Sequence, residues 1–338
     1  MRDIPLYPLT FKPIFKELVW GGRRLEKVLG KPLPPDRRIG ESWELVDLPG
    51  DMSVVNGGDL DGSTLRSLVE KRKLELMGNT PLLDGRFPLL LKFIDAAERL
   101  SVQVHPDREA AERLGGRPKT EAWHIIDAAP GCFLYIGTRP GVTREVFAEA
   151  IDEDRVEPLL RKVPVHPGDL IYLPAGTLHA IGEGVLLAEI QQASDTTYRV
   201  FDWGRMGLDG RPRPLHVKEA LESIRFDVRV APLDGSGPER LLTPYFGIER
   251  KKGISGAIAE VIPAGLPRVL IGLSGSGRVH GGGGESQLSK GTTILIPASL
   301  DTARIELALD STWLEVSSCG GDAEDGFRAR SNRRRAAG

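Results

Sequence analysis

The chain has only two cysteines, Cys132 and Cys319, in 338 residues, and almost no net charge. Two cysteines cannot build a disulfide framework, and this pair does not form a CxxC metal motif. Lys and Arg number 45 and Asp and Glu 47, giving −2, so the basic excess of a nucleic-acid coat is missing. No apolar run approaches the roughly 18 residues of a membrane-spanning helix. The opening Met1-Arg2-Asp3-Ile4-Pro5 has no signal-peptide apolar core, which sets the expectation of a cytoplasmic protein. With 40 % hydrophobic and 27 % charged residues, the chain belongs to the ordinary globular class, long enough for one large core or two smaller ones.

Glycine and proline, by contrast, are abundant. Forty glycines and 25 prolines make 65 of the 338 residues, about 19 % against a usual value near 12 %. Disorder would require low hydrophobicity as well, which this chain lacks. Many turns between short strands account for it better, so the composition points to β structure.

The residue pattern agrees. Phe87–Ile94, Leu100–Val104, Cys132–Ile136, Asp169–Leu173 and Val185–Ile190 are short apolar or alternating runs that end at turn residues. A second group covers Ala257–Ile262, Arg268–Ile271, Thr292–Ile296, Arg304–Leu309 and Trp313–Val316. Helical spacing is predicted over Ser63–Met77, interrupted by Arg72, and over Asp107–Leu114, ended by Gly115-Gly116. It is also predicted over Thr143–Lys162, as one or two helices capped by Thr143 with Val146, Phe147 and Ile151 on one face, and over Leu215–Ser223. The Gly, Pro and Asp of Ala231–Pro238 mark a boundary between two β-rich parts. The polar end from Gly320, closing on Arg333-Arg334-Arg335, reads as a disordered tail.

One pattern occurs twice. Gly168, five residues, Pro174-Ala175 and then His179 are echoed by Gly291, five residues, Pro297-Ala298 and then Thr302. Two related β units are implied, one with a metal-capable side chain and one without.

The densest chemistry lies in Leu100–Asp107. On a strand Ser101, Gln103 and His105 share one face while Val102 and Val104 point into a core. Lys119 and Glu121 likewise share a face, and His179 follows a short Pro-Ala-Gly turn that fixes its direction. Singly, His105 reads as a hydrogen-bonded surface histidine and Glu121 as a solvated charge. Together, Gln103, His105, Glu121 and His179 form a mixed nitrogen and oxygen set suited to a divalent ion, with Zn²⁺ the leading candidate. A third segment carries Glu189 and Gln191 on one strand face and then Arg199 and Arg205, which could hold an anion through forked hydrogen bonds. The alternative for that loop is a surface segment whose arginines pair with Asp195 and Asp202. His124, His166, His216 and His280 show no such grouping and read as packing or surface residues. The Gly281–Gly284 run opens no helix, so it is no phosphate loop, and no GxSxG or Cys-His nucleophile pattern occurs.

At these residues the sequence resembles the type I mannose-6-phosphate isomerases in their shorter bacterial form. Gly168-x5-Pro174-x-Gly176-x2-His179 is similar to the second cupin motif. Pro13-x6-Trp20-Gly21-Gly22, Gly40-Glu41-Ser42-Trp43-Glu44, Phe87-Pro88-Leu89-Leu90-Leu91-Lys92, Ser101–Asp107, Lys119–Trp123, Gln191-x3-Asp195-x3-Arg199 and Leu215-His216 complete the likeness, over roughly residues 5–320. The resemblance implies a mainly β fold of two cupin-like β-barrel (jelly-roll) units, with a few helices in and around the first. It divides the chain into a catalytic domain at 1–235 with helical insertions at about 60–80 and 143–162, a metal-free β domain at 236–319, and the tail 320–338.

For the site, the resemblance implies one Zn²⁺ per chain on Gln103, His105, Glu121 and His179, with Arg199 as the catalytic arginine. Lys119 and Glu189 fall where the family lines its substrate pocket. Ser101 matches a phosphate-contacting serine, and Arg205 stands in for a lysine that longer relatives place after the arginine. The implied reaction moves a proton between C2 of mannose 6-phosphate and C1 of fructose 6-phosphate through an enediol. The base stays open between Glu189, Lys119 and a metal-bound water. The expected partner is a phosphorylated hexose, with neither nucleic acid nor membrane, and the chain is expected to be a monomer or weak homo-oligomer. A non-catalytic sugar-phosphate-sensing module and another cupin enzyme, such as a metal-dependent dioxygenase, are the alternatives. The intact polar set argues against the first and the Gln ligand against the second.

Overall fold

The computed structural model describes residues 4–230 and 240–318 and the backbone of Arg328–Ala329. It is mainly β, as the glycine and proline content suggests. Among the described residues, two compact units form, each from separated stretches of chain: one from 15–43 and 90–230, the other from 4–14, 44–89 and 240–318. The expected boundary at 231–238 and Cys319 lie outside the described residues. Within the segment from Gly320, Arg328–Ala329 pairs with Leu241–Leu242, and the rest lies outside the description.

The first of these units carries the predicted chemistry. Its six-stranded sheet runs Leu170–Leu173, Glu121–Ala128, Val185–Gln192, Leu89–Ala96, Ile39–Leu45 and Ile14–Gly22 in spatial order. Its five-stranded sheet runs Leu160–Pro164, Phe133–Thr138, His179–Ile181, Val102–Val104 and Tyr198–Phe201. Trp20, Ile94, Trp123, Ile125 and Leu187 of the first sheet form one buried cluster with Leu134, Ile136, Val163 and Ile181 of the second. The opposite face of the five-stranded sheet packs Val102, Val104, Tyr135 and Val200 against Phe147 and Ala220, which lie on helices Arg144–Asp152 and Val217–Ser223. The unit is therefore three layers, sheet on sheet on helix, each turning one apolar face inward. The strict alternation at 101–105 follows from that layering: Val102 and Val104 meet the helices, so Gln103 points between the sheets.

The other unit pairs a seven-stranded with a four-stranded sheet. Leu270, Ile294, Ile296 and Trp313 of the larger meet Val279, Leu288, Ile305 and Leu307 of the smaller. The Gly281–Gly284 run is a hairpin turn between strands Ser276–Gly281 and Gly284–Ser289, with Gly282 and Gly283 at φ 58 and 82°. By backbone pairing, each unit is a set of open sheets rather than a closed barrel among the described residues.

One helical expectation requires correction. The stretch 143–162 is helical only over Arg144–Asp152; a 3₁₀ turn at Glu157–Leu159 and a strand at Leu160–Pro164 follow. Asp154 takes a left-handed φ of 56°, which ends the helix, and Pro158 lies in the 3₁₀ turn. On that helix Phe147 and Ala150 are buried but Val146 is exposed, contrary to the predicted face. The Ser63–Met77 pattern divides at Arg72 into helices Leu65–Lys71 and Lys73–Met77. Arg72 is buried, pairs with Glu75 and donates to the Ile4 carbonyl, so it caps rather than continues the first helix.

The Leu65–Lys71 helix is anchored by a fully buried carboxylate. Asp47 accepts two bonds from Arg66 (3.1 and 2.9 Å), one from Arg86 (3.2 Å) and one from the Phe87 amide (3.0 Å). Asp47→Ala removes the buried charge partner of both arginines, leaving Arg66 only the exposed Glu70 at 3.5 Å, and is expected to cost about 3–5 kcal/mol. Equilibrium urea unfolding of the variant checks this, and a loss below about 1 kcal/mol contradicts it.

Candidate metal and anion site

The site grows out of strand register. His179 lies opposite Gln103, and Arg199 lies opposite Gln103 from the other side. Three adjacent strands of the five-stranded sheet thus set His179, Gln103 and Arg199 side by side. From the facing sheet, Glu121 and Glu189 follow the alternation of Trp123, Ile125 and Leu187, which are buried between the sheets. One end of the inter-sheet space is filled by apolar side chains and the other by polar ones.

The turn that aims His179 is closed by the Thr177 amide on the Pro174 carbonyl (3.1 Å), with Gly176 at φ 86°. That φ suits glycine, and an added Cβ would meet the Arg225 side chain at 2.9 Å. The Gly176 amide also donates to the His105 carbonyl (2.8 Å), tying the backbones of the two histidines together.

Both imidazoles are orientated alike. His105 Nδ1 lies 2.8 Å from the Thr196 carbonyl and His179 Nδ1 lies 2.9 Å from the Thr177 carbonyl. A carbonyl only accepts, so each Nδ1 carries the proton and each Nε2 presents a lone pair to the site. Those Nε2 atoms sit 3.5 and 3.3 Å from the two oxygens of Glu121. Burial pushes the His179 pKa down to about 4. Burial and the Lys119 ammonium hold His105 well below its usual range. Both rings are neutral at pH 7, the state a metal requires.

Lys119 occupies the centre. Its Nζ is 2.9 Å from Glu121 Oε2, 3.4 Å from Glu189 Oε1 and 3.1 Å from His105 Nε2. Burial would lower its pKa, but the two carboxylates raise it above the ordinary lysine value. Burial and the neighbouring Glu189 push Glu121 up against the pull of Lys119. Burial acts on Glu189 too, but Lys119 and Lys92 together hold it below the usual carboxylate range. Two buried carboxylates around one ammonium leave the spot short of positive charge.

His105, Glu121 and His179 are the cluster that could hold a metal ion among the described residues, their ligand atoms lying within 4.8 Å of one another. Gln103 Nε2 is 3.3 Å from His179 Nε2, so the fourth expected ligand adjoins the set. The buried Glu121 Oε1 accepts no hydrogen bond. A lone-pair-rich, dry pocket with an orphaned carboxylate oxygen, already holding an ammonium, fits a divalent cation.

The arginine segment divides. Arg199 donates from Nε to Ser101 Oγ (3.2 Å) and from Nη1 to the Pro214 carbonyl (2.9 Å). It makes no ion pair with a carboxylate among the described residues, so the predicted pairing with Asp195 does not occur. Arg205 does pair with Asp202 (2.9 Å) and donates to the Arg99 carbonyl (2.7 Å). Burial, then Arg213 and Arg205, lower the Arg199 pKa. His216, read from the sequence as a packing or surface residue, instead accepts the Arg199 amide at Nδ1 (3.3 Å) and returns its own amide to the Arg199 carbonyl (2.7 Å).

Sequence reasoning missed a second lysine. Lys92 Nζ lies 3.7 Å from Glu189 Oε2 and 3.5 Å from Glu41 Oε2, and 4.9 Å from the centre of the Trp43 ring. The Trp43 Nε1 donates to the same Glu41 oxygen (2.6 Å). The signal was a lysine inside Leu89–Ala96, every residue of which is buried: a lysine there needs a buried carboxylate.

Comparison with known proteins decides the family. Residues 9–123 match the model for the catalytic domain of type I phosphomannose isomerase, a segment holding Gln103, His105, Lys119 and Glu121. The mannose-6-phosphate isomerase ManA of Bacillus subtilis is 38 % identical, over 88 % of this chain and 96 % of its own. The probable mannose-6-phosphate isomerase GmuF of the same organism is 37 % identical, over 89 % and 96 %. The chain belongs to the mannose-6-phosphate isomerase family. A crystal structure of the Bacillus subtilis mannose 6-phosphate isomerase superposes with a TM-score of 0.80 at 30 % identity, covering 92 % of this chain and 99 % of that one. The family match ends at Trp123, before His179 and Arg199, and strand register brings those two beside Gln103 of the matched segment.

If the cluster binds a divalent ion, the ion stabilises the fold by mass action, by about 2.7 kcal/mol at a hundredfold excess over Kd. Adding Zn²⁺ to chelator-treated protein is expected to raise the thermal midpoint, and His179→Ala is expected to abolish the shift. An equal shift in the variant, read by calorimetry, contradicts the ligand set.

Proposed function

We propose that the chain interconverts mannose 6-phosphate and fructose 6-phosphate, using one Zn²⁺ per chain held by Gln103, His105, Glu121 and His179. The observation carrying this reading is the register that sets Arg199, unpaired with any carboxylate among the described residues, one strand from Gln103 and two from His179. Gln103 joins the ligand set after a half-turn of its amide, which exchanges Nε2 for Oε1. When bound, the ion supplies electrophilic pull on sugar oxygens.

The remaining work falls to side chains. The reaction removes a proton from C2 and returns it to C1, and the carbonyl oxygen gains and loses charge on the way. Arg199, held by Ser101 and Pro214, presents a fixed guanidinium to that developing charge. Glu189 can take the proton, as a weak base while Lys119 and Lys92 hold its pKa down and a stronger one once Lys119 moves away. It is kept ionised by Lys119 and Lys92, and the sheets around it exclude water. Lys119 donates to the substrate oxygens or to Glu189 once a metal ion takes over its place beside His105 and Glu121. Ser101 and Arg205 lie toward the phosphate end of the substrate. Each pair of sheets is read as a cupin-like unit, the first catalytic and the second metal-free, and the protein as cytoplasmic.

Arg199→Ala is expected to lower kcat by about two to three orders of magnitude, the scale of losing one preorganised donor to a developing oxyanion, while elemental analysis still finds one metal ion per chain. Near-normal turnover removes Arg199 from the chemistry. A coupled isomerase assay on mannose 6-phosphate is expected to read activity that a chelator abolishes and Zn²⁺ restores. Binding of the sugar phosphate without turnover would indicate a sensing module instead.

A further inference from the structure

Beyond Arg199 the chain gathers more positive charge than it neutralises. Arg213 donates to both oxygens of Asp202, from Nε at 2.7 Å and from Nη2 at 2.6 Å. Arg205 Nη2 donates to the same carboxylate at 2.9 Å. The nearest other acid is Glu98, 3.9 Å from Arg205, and it is taken by Arg38 at 2.5 Å. Arg205 and Arg213 thus share one carboxylate and Arg199 pairs with none, which leaves an excess of two positive charges on the three arginines. The side chains of Arg205 and Arg213 are only 13 and 18 % exposed, so this excess is poorly screened.

The cluster is contiguous with the site. Pro214, whose carbonyl holds Arg199, follows Arg213 in the chain. The backbone pairing of Arg199 with His216 closes the loop that carries Asp202, Arg205 and Arg213. Asp202 occupies both Nε and Nη2 of Arg213, and Nη1 has no hydrogen-bond partner among the described residues. A guanidinium fixed along one edge with a free donor on the other is preorganised for an anion.

We propose that Arg213, aimed by Asp202, is a specificity-determining residue that makes this site select a phosphate dianion over a singly charged group. The inference rests on the isomerase reading above. A hexose 6-phosphate carries its phosphate at the far end from C1 and C2. The ester bears about −1.5 to −2 charges at pH 7, which matches the excess of two. Arg205, which the sequence offered as the phosphate ligand, spends Nη1 on the Arg99 carbonyl and Nη2 on Asp202, and its unpartnered Nε is buried. Its part is to add charge, and Arg213 supplies at Nη1 a free donor that is not among the buried atoms.

Unreactive hexitols separate charge recognition from turnover. Calorimetric titration of the metal-loaded full chain at pH 8 compares hexitol 6-phosphate with hexitol 6-sulfate, a near-isostere with one charge fewer. The wild type is expected to prefer the phosphate at least about tenfold, and Arg213→Gln to lose about 10- to 100-fold for phosphate but under about threefold for sulfate. Arg213→Lys, which keeps the charge, recovers part of the preference. Arg211→Gln, the same change at an exposed position of the same loop, leaves it intact. An equal weakening for both ligands in Arg213→Gln reduces Arg213 to a structural role and overturns the inference, as does an unchanged ratio. Should the wild type bind neither hexitol, the isomerase reading itself falls, an outcome distinct from loss of the preference.

Discussion

The site depends on one buried contact, Lys119 between Glu121 and Glu189. An ammonium and two carboxylates removed from water carry a desolvation penalty of several kcal/mol each, recovered only when every charge has a close opposite. The surroundings follow from that demand. Glu189 reaches a second ammonium, Lys92. Lys92 in turn needs Glu41, and Glu41 is held by the indole of Trp43. Each step crosses to the next strand of the six-stranded sheet, from Glu121–Ala128 through Val185–Gln192 and Leu89–Ala96 to Ile39–Leu45. Glu121 sits at the deficient end of this row, with one ammonium, a like-charged neighbour and a free oxygen. A divalent cation would relieve the row where it is least satisfied.

Such a row is tolerable because the rest of the same face is apolar. Trp20, Ile94, Trp123, Ile125 and Leu187 close one end of the inter-sheet space with well-packed hydrophobic area. The histidines then need only be turned the right way. Two backbone carbonyls fix their tautomers, and the Gly176 amide on the His105 carbonyl fixes their spacing. Side-chain direction in this site is set by backbone groups, which resist relaxation better than side-chain partners do.

The legible parts of the sequence were those in which the period of the structure shows in the residues. Alternation at Ser101–His105 placed Gln103 and His105 on one face, and the short turn before His179 limited where that ring could point. Neither depends on distant partners. Lys92 was hidden because Leu89–Ala96 is buried on both faces, and a strand of that kind has no alternation to mark which residue faces the site. Arg205 and Arg213 could not be ranked from spacing, since both follow Arg199 in one irregular loop, and each keeps one unpartnered nitrogen that only the fold shows to be buried in Arg205. The 143–162 misreading has the same origin. The apolar residues after Asp152 suit a helix or a strand, and Asp154 and Pro158 decide against the helix through backbone geometry rather than periodicity.

The repeated Gly-x5-Pro-Ala pattern shows how the backbone and the chemistry separate. Gly168 and Gly291 both adopt left-handed φ, 96 and 81°, and each leads into a short strand, Leu170–Leu173 or Thr293–Ile296, that ends at a proline. In one unit His179 follows and joins Glu121; in the other Thr302 precedes the strand Ala303–Leu307, and no metal-ligating cluster forms among the described residues of that unit. The same turn serves both because its requirements are conformational, a positive φ and a proline stop. The site requires in addition a neutral imidazole, a facing carboxylate and the charged row behind it. The core between the two sheets of that unit, with Leu270, Ile294 and Ile305 among its buried residues, is apolar and offers no such lone-pair set.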